Sequence, residues 1–159
     1  MHIAIESPDQ ADVIALIADL DAYQDSLYPP ESRYAMDLSS LTKPNVRFAV
    51  ARDGEGRAQG CGAIVFYAGY GELKRMYVRP ESRGQGVARA ILTVLEACAR
   101  QDGMRSFKLE SGPHQGAALA FYASCGYATC GRYGDYKVDP NSVFMGKDDT
   151  SPAAITEAR

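Results

Sequence analysis

Apolar and polar residues alternate over 3–6 (Ile3-Ala4-Ile5-Glu6), which predicts a short first strand. Ser7-Pro8-Asp9-Gln10 then reads as a helix start, with Ser7 as N-cap, Pro8 at the first helical position and Gln10 closing a capping box. Val13, Leu16, Ile17 and Leu20 follow at helical spacing. The pattern weakens over 23–45, where Tyr28-Pro29-Pro30 ends any helix and a second, shorter one follows. Three strands come next, over 46–52, 60–67 and 72–79. Asp53-Gly54-Glu55-Gly56 and Gly69-Tyr70-Gly71 separate them, and Pro80 ends the last, so the three form an antiparallel meander. The clearest helix spans 83–102, with Val87, Ile91, Val94, Leu95 and Cys98 on an apolar face and Arg89, Thr93, Glu96 and Arg100 on a polar one, before Gly103 caps it. A strand over 106–110 completes a strand–helix–strand unit with parallel strands. A shorter helix over 115–125 stops at Gly126, and closing strands follow over 127–132 and 142–147. The reading is one domain over 1–147 and a disordered polar tail over 148–159.

Composition narrows the field. A chain of 159 residues with 46% hydrophobic and 23% charged residues has enough apolar content for one soluble core. A formal net charge of -3 gives no reason to expect a nucleic acid or a membrane surface as partner. No apolar run approaches the roughly 20 residues of a membrane span, and the N-terminus lacks a basic stretch followed by an apolar one. Cys61, Cys98, Cys125 and Cys130 form no C-x-x-C pair, and only His2 and His114 are available beside them. The expectation is no metal and four reduced, buried thiols in the cytoplasm.

Candidate chemistry concentrates in Arg83-Gly84-Gln85-Gly86-Val87-Ala88, between a strand and the long helix. Gly84 and Gly86 remove side chains where a ligand must approach, and the first helical turn offers unpaired amides and about half a positive charge. Arg83 adds a fixed cation, so the segment suits a pyrophosphate. A ligand-free glycine turn is the plain alternative. A triphosphate loop is excluded because no Gly-Lys-Ser/Thr follows. A dinucleotide fingerprint requires a small residue at Arg89 and an opening parallel sheet, although Glu110 falls near where a ribose-binding acid would stand.

The wider order of residues resembles one known family. Glu72-Leu73-Lys74-Arg75-Met76-Tyr77-Val78-Arg79-Pro80, then Arg83, Gly86 and Ala88 in a Q/R-x-x-G-x-G/A arrangement, then Ala118-x-x-Phe121-Tyr122-x-x-x-Gly126-Tyr127, is similar to the GNAT superfamily of acyl-CoA N-acyltransferases. The resemblance spans 46–147 and implies an α+β fold. Its sheet would be mixed, mostly antiparallel and twisted, with about seven strands, a splayed parallel central pair and about four flanking helices. It further implies that acetyl-CoA is the cosubstrate. The backbone of Met76, Tyr77 and Val78 would pair with the pantetheine arm. Amides of Arg83, Gly84, Gln85, Gly86, Val87 and Ala88 would hold the pyrophosphate, and Gln115 stands where the family often has Asn.

The same resemblance implies two catalytic residues, Glu72 as base and Tyr122 as the group that hydrogen-bonds and protonates the leaving sulfur. A base matters because an amine with a pKa near 10.4 is neutral in only about 1 part in 2,500 at pH 7, a cost of roughly 4–5 kcal/mol. Each has a plain alternative: Glu72 as a partner of Lys74 or Arg75, Tyr122 as packing beside Phe121. Cys125 as an acyl-cysteine nucleophile lacks a histidine to activate it. Tyr23, Tyr28, Tyr34, Tyr133 and Tyr136, with Asp19, Asp21, Asp25, Glu31 and Asp135, suggest an acceptor pocket for a cationic amine, with Tyr28 and Tyr136 as its leading contacts. The partner is then a small-molecule or protein amine, and a homodimer is compatible. An acyl-CoA-binding module without catalysis on the same fold is the competing function.

Overall fold

The computed structural model describes residues 1–149. The elements are β1 (His2–Ile5), α1 (Ala11–Asp25), α2 (Leu38–Leu41), β2 (Val46–Arg52), β3 (Ala58–Tyr67), β4 (Tyr70–Val78), α3 (Val87–Gln101), β5 (Ser106–Ser111), α4 (Gly116–Ser124), β6 (Ala128–Thr129) and β7 (Val143–Asp148), with single 3-10 turns at Pro30–Ser32 and Pro80–Ser82. One seven-stranded sheet runs in the order β1-β2-β3-β4-β5-β7-β6. Every neighbouring pair is antiparallel except β4 and β5. This is the mixed α+β sheet with a parallel central pair that the residue pattern and the resemblance implied.

The sheet is covered on both faces. α3 lays Val87, Ile91, Leu92, Leu95 and Ala99 against Ala49, Ala51, Ile64, Leu73 and Phe107. On the opposite face Val13 and Leu16 of α1 and Leu41 of α2 pack on Phe48, Val50, Cys61, Ala63 and Val65. β2 and β3 therefore alternate between two cores, and each reads as a nearly continuous apolar run. Among the described residues, no helix is long and apolar enough to cross a membrane.

Several boundaries differ from the sequence reading for local reasons. α1 begins at Ala11, not at Ser7, because Gln10 is still extended. Ser7 Oγ accepts the Asp9 amide at 3.1 Å, which makes 7–10 a turn rather than a cap. α3 begins at Val87, not Arg83, because Gly84 and Gly86 both take positive φ, 76° and 78°. Its buried face is rotated from the expected one: Leu92, Glu96 and Ala99 are buried, while Val94 and Cys98 are partly exposed. Glu96 is tolerated there because Tyr127 Oη (2.6 Å), Lys147 Nζ (3.0 Å) and Arg100 Nη2 (3.3 Å) all donate to it. The strand expected over 127–132 shrinks to Ala128–Thr129.

Asp148 closes β7, one residue past the strand end expected at 147, and the Asp149 carboxylate accepts from Arg100 Nε at 2.7 Å. The remainder of the expected tail, 150–159, lies outside the described residues. All four cysteines are free, but only Cys61 is buried; Cys98, Cys125 and Cys130 are partly exposed.

Candidate functional site

The site follows from how β4 and β5 part. They pair in parallel only at Gly71 with Phe107, Glu72 with Lys108 and Leu73 with Leu109. Beyond Leu73, β4 continues to pair with β3 but among the described residues has no strand on its other side, so the sheet opens. A bulge marks the parting: two β4 residues, Arg75 and Met76, face Gly62 of β3, and Arg75 adopts φ 57°. Two cavities occupy the gap and its surroundings, about 600 Å³ and about 100 Å³, and they share Met76, Gln115, Ala118 and Tyr122 as walls.

The larger cavity gathers most of the residues expected to hold a cofactor. Met76, Tyr77, Val78, Arg83, Gly84, Gly86, Val87, Ala88, Gln115 and Tyr122 all line it; Gln85 does not. The 84–88 backbone approaches α3 through two left-handed glycines, and Gly86 as N-cap offers no side chain to the first-turn amides, which lack intrahelical partners. A Cβ at Gly84 or Gly86 would touch nothing within 4 Å, which leaves backbone conformation as the reason for glycine. Arg83 is held by its Nε bond to the Val78 carbonyl (2.9 Å) and by the Tyr77 ring 5.6 Å away. Arg89 also lines this cavity, held by Ser124 Oγ at 3.0 Å; its sequence position marked it as a polar-face helix residue and a break in a dinucleotide motif, not as a site residue.

Tyr122 stands in both walls and is buried. Its hydroxyl has no hydrogen-bond partner among the described residues, and burial pushes its pKa upward, so it stays protonated and able to donate. Cys125, by contrast, lines neither cavity.

The smaller cavity has a different character from the one expected. Tyr28 and Tyr34 line it, but the titratable groups around them are Arg33, Lys74, Arg75 and Glu110. Three of the five acids that suggested a pocket for a cation are already paired: Asp19 with Arg79 (2.6 Å), Asp21 with Arg33 (3.1 Å) and Arg75 (2.5 Å), and Asp25 with Arg33; Glu31 and Asp135 do not line the cavity. Tyr28 holds its place by accepting the His114 amide (3.1 Å) and stacking on the His114 ring, centroids 5.5 Å apart. Gly112 permits that placement, since any Cβ there would overlap the Tyr28 ring.

Glu72 and Tyr136 line neither cavity. Glu72 is only 3% exposed, and its Oε2 accepts the hydroxyls of Tyr133 (2.7 Å) and Tyr136 (2.6 Å), with Lys74 Nζ 3.7 Å away. Tyr136 in turn accepts from Lys74 Nζ at 2.6 Å. The carboxyl that does reach the cavity is Glu110, one residue past the last parallel pair. Burial pushes its pKa up to about 7, against the lowering effects of Ser142 Oγ, which donates at 3.0 Å, and of the Lys74 charge. Lys74 is lowered from its ordinary value by burial, with Glu72 and Glu110 resisting.

Comparison with known proteins agrees with this architecture. Residues 44–129 match the family described as the acetyltransferase (GNAT) domain. An IAA acetyltransferase of Azospirillum brasilense is 46% identical over 147 residues, covering 91% of this chain and 95% of that protein. A crystal structure from Klebsiella pneumoniae, named provisionally as an acyl-CoA N-acyltransferase, superposes with a TM-score of 0.83 at 43% identity, covering 93% and 97% of the two chains. PaiA N-acetyltransferase of Thermoplasma acidophilum, solved with coenzyme A, shares the fold at a TM-score of 0.69 and 16% identity, covering 93% of this chain and 99% of its own. With its splayed β4–β5 pair and its glycine-turned α3, this chain belongs to the GNAT acetyltransferase family and is an acyltransferase enzyme.

Proposed function

We propose that the chain transfers an acetyl group from acetyl-CoA directly to an amine held in the smaller cavity. The observation that carries this reading is the shared wall: Met76, Gln115, Ala118 and Tyr122 belong to both cavities, so two ligands would meet there. The pyrophosphate sits on the 84–88 amides between Arg83 and Arg89, and the pantetheine arm adds to the open edge of β4 at Met76, Tyr77 and Val78. Gln85 contributes only its backbone amide. Four free thiols fit the cytoplasmic setting expected of such an enzyme.

The amine nitrogen attacks the thioester carbonyl carbon; the C–N bond forms, the C–S bond breaks, and the amine proton goes to a base. Glu110 takes the base role that the resemblance assigned to Glu72. Its carboxyl lines the acceptor cavity and titrates near the working pH, whereas Glu72 is engaged by two tyrosine hydroxyls and anchors the 133–136 loop. Tyr122 donates a hydrogen bond to the departing sulfur. Its raised pKa lies above the roughly 8.5 of a thiol, so full proton transfer is uphill and the thiolate leaves hydrogen-bonded.

Two measurements test the reading. Acetyl-CoA at 100 times its dissociation constant adds about 2.7 kcal/mol to folding stability, readable as a thermal shift. Initial rates of CoA release against both substrates should give intersecting lines, as a ternary complex requires. A folded protein that no CoA species stabilises would refute the binding site, and parallel lines would refute direct attack.

A further inference from the structure

Resting on that reading, we infer that the acceptor carries its own carboxylate: the smaller cavity is built for a compact zwitterionic amine of the amino-acid class. Three cationic side chains, Arg33, Lys74 and Arg75, face a single carboxyl, Glu110, across this cavity. The acids that neutralise those cations elsewhere, Asp21, Asp25 and Glu72, stand outside its walls. Those pairings offset the cationic charges, so what the wall offers a ligand is N–H donors beside the Glu110 carboxyl, and a molecule with an amine at one end and a carboxylate at the other matches both.

Arg75 is the sharper observation. Its side chain is 3% exposed, yet among the described residues only Nη2 has a hydrogen-bond partner, Asp21, which Arg33 also shares. Nε is buried without any partner, and no acceptor among the described residues engages Nη1. A desolvated guanidinium with an unengaged Nη1 is costly, and a carboxylate placed end-on to its Nη atoms satisfies it. The φ of 57° at Arg75 is unusual for a long side chain, and it belongs to the bulge that brings this residue into the cavity wall. Size limits the occupant: at roughly 30 Å³ per water, about 100 Å³ holds about three water-sized groups, the scale of the smallest amino acids and far short of a polyamine or a peptide.

Matched acceptors decide the matter on the unaltered protein. CoA release is measured for an L-α-amino acid, its carboxamide and the corresponding decarboxylated amine, across several side chains. The acid form should exceed both partners in kcat/KM by at least about thirtyfold, the low end for leaving a buried charge unpaired. Arg75→Gln should bring that ratio towards one while the thermal shift by acetyl-CoA persists. Carboxamides or decarboxylated amines that react as well as the acids overturn the inference. So does turnover confined to polyamines or peptides, which would leave acetyl transfer itself standing. Absence of turnover with every amine removes the underlying reading, and the inference with it.

Discussion

Replacing Glu110 with Gln separates its two consequences, because they have opposite signs. Burial raises the carboxyl from its ordinary 4.5 to about 7, so between those values the folded state binds a proton that the unfolded chain releases. Stability from this group is full below about 4.5, falls as the pH rises, and is lost above about 7. The displacement corresponds to about 3 kcal/mol at most, since each pKa unit is worth about 1.4 kcal/mol. Glu110→Gln keeps the volume and a partner for Ser142 Oγ while removing the charge that burial penalises. At pH 8 the variant should be more stable by up to about 3 kcal/mol, roughly 6–12 °C in Tm, and at pH 4 the two proteins should coincide. Activity should move the other way. The rising limb of kcat/KM near pH 7 disappears, and the rate at neutral pH drops about a hundredfold or more. Scanning calorimetry from pH 4 to 8, with CoA release over the same range, reads both effects; Glu72→Gln, whose carboxyl lies outside the cavity, should leave the limb in place. A Glu110→Gln protein that is less stable at pH 8, or one that keeps the limb near pH 7, would refute the reasoning.

Three further outcomes follow from the same geometry. Tyr122→Phe removes a hydroxyl that has no hydrogen-bond partner among the described residues, so Tm should hardly move, while kcat falls about tenfold to a hundredfold, the worth of a hydrogen bond to a charged group; steady-state kinetics with a CoA titration shows whether binding survives. Gly86→Ala forces a side chain into φ 78° and should cost about 1–2 kcal/mol, with weaker CoA binding by calorimetry; unchanged affinity would detach this turn from the ligand. Glu96→Ala leaves Lys147 and Tyr127 without their buried carboxylate and should lower stability in urea by about 3 kcal/mol; a loss under about 1 kcal/mol would mean that water replaces it.

The fold was legible where local pattern and packing agree. β2 and β3 carry apolar residues for both faces of the sheet, and Asp53-Gly54-Glu55-Gly56 turns between them. The glycine pair before α3 announced the loop, although its positive φ values push the helix start four residues beyond Arg83. Glu96 was misplaced because its burial is decided by Tyr127 and Lys147, 31 and 51 residues away, and helical spacing alone assigns a charged residue to solvent. Nothing in Lys74-Arg75-Met76 signals a bulge; it arises where β4 leaves β5 while still following β3.

The same distinction explains why the lining of the larger cavity was legible in the sequence and that of the smaller one was not. Apart from Arg89, Gln115 and Tyr122, the residues that would hold the cofactor lie in two short runs, 76–78 and 83–88, because a strand edge and a helix N-terminus present consecutive backbone groups, and spacing records those. The acceptor cavity is assembled from side chains of the 28–35 segment, β4, β5 and α4, and its charge depends on which acids are taken up elsewhere. Asp21 and Asp25 look like attractors for a cation in sequence; Arg33 and Arg75 cancel them in space. Glu110 looks like an exposed strand-end acid, yet it faces Lys74 across the point where the strands part, and burial there moves its proton affinity to neutrality. A charge-lined pocket in this fold is thus a difference between paired and unpaired groups, and relatives with the same glycine turn can accept acceptors of different charge by exchanging only the residues that do the pairing.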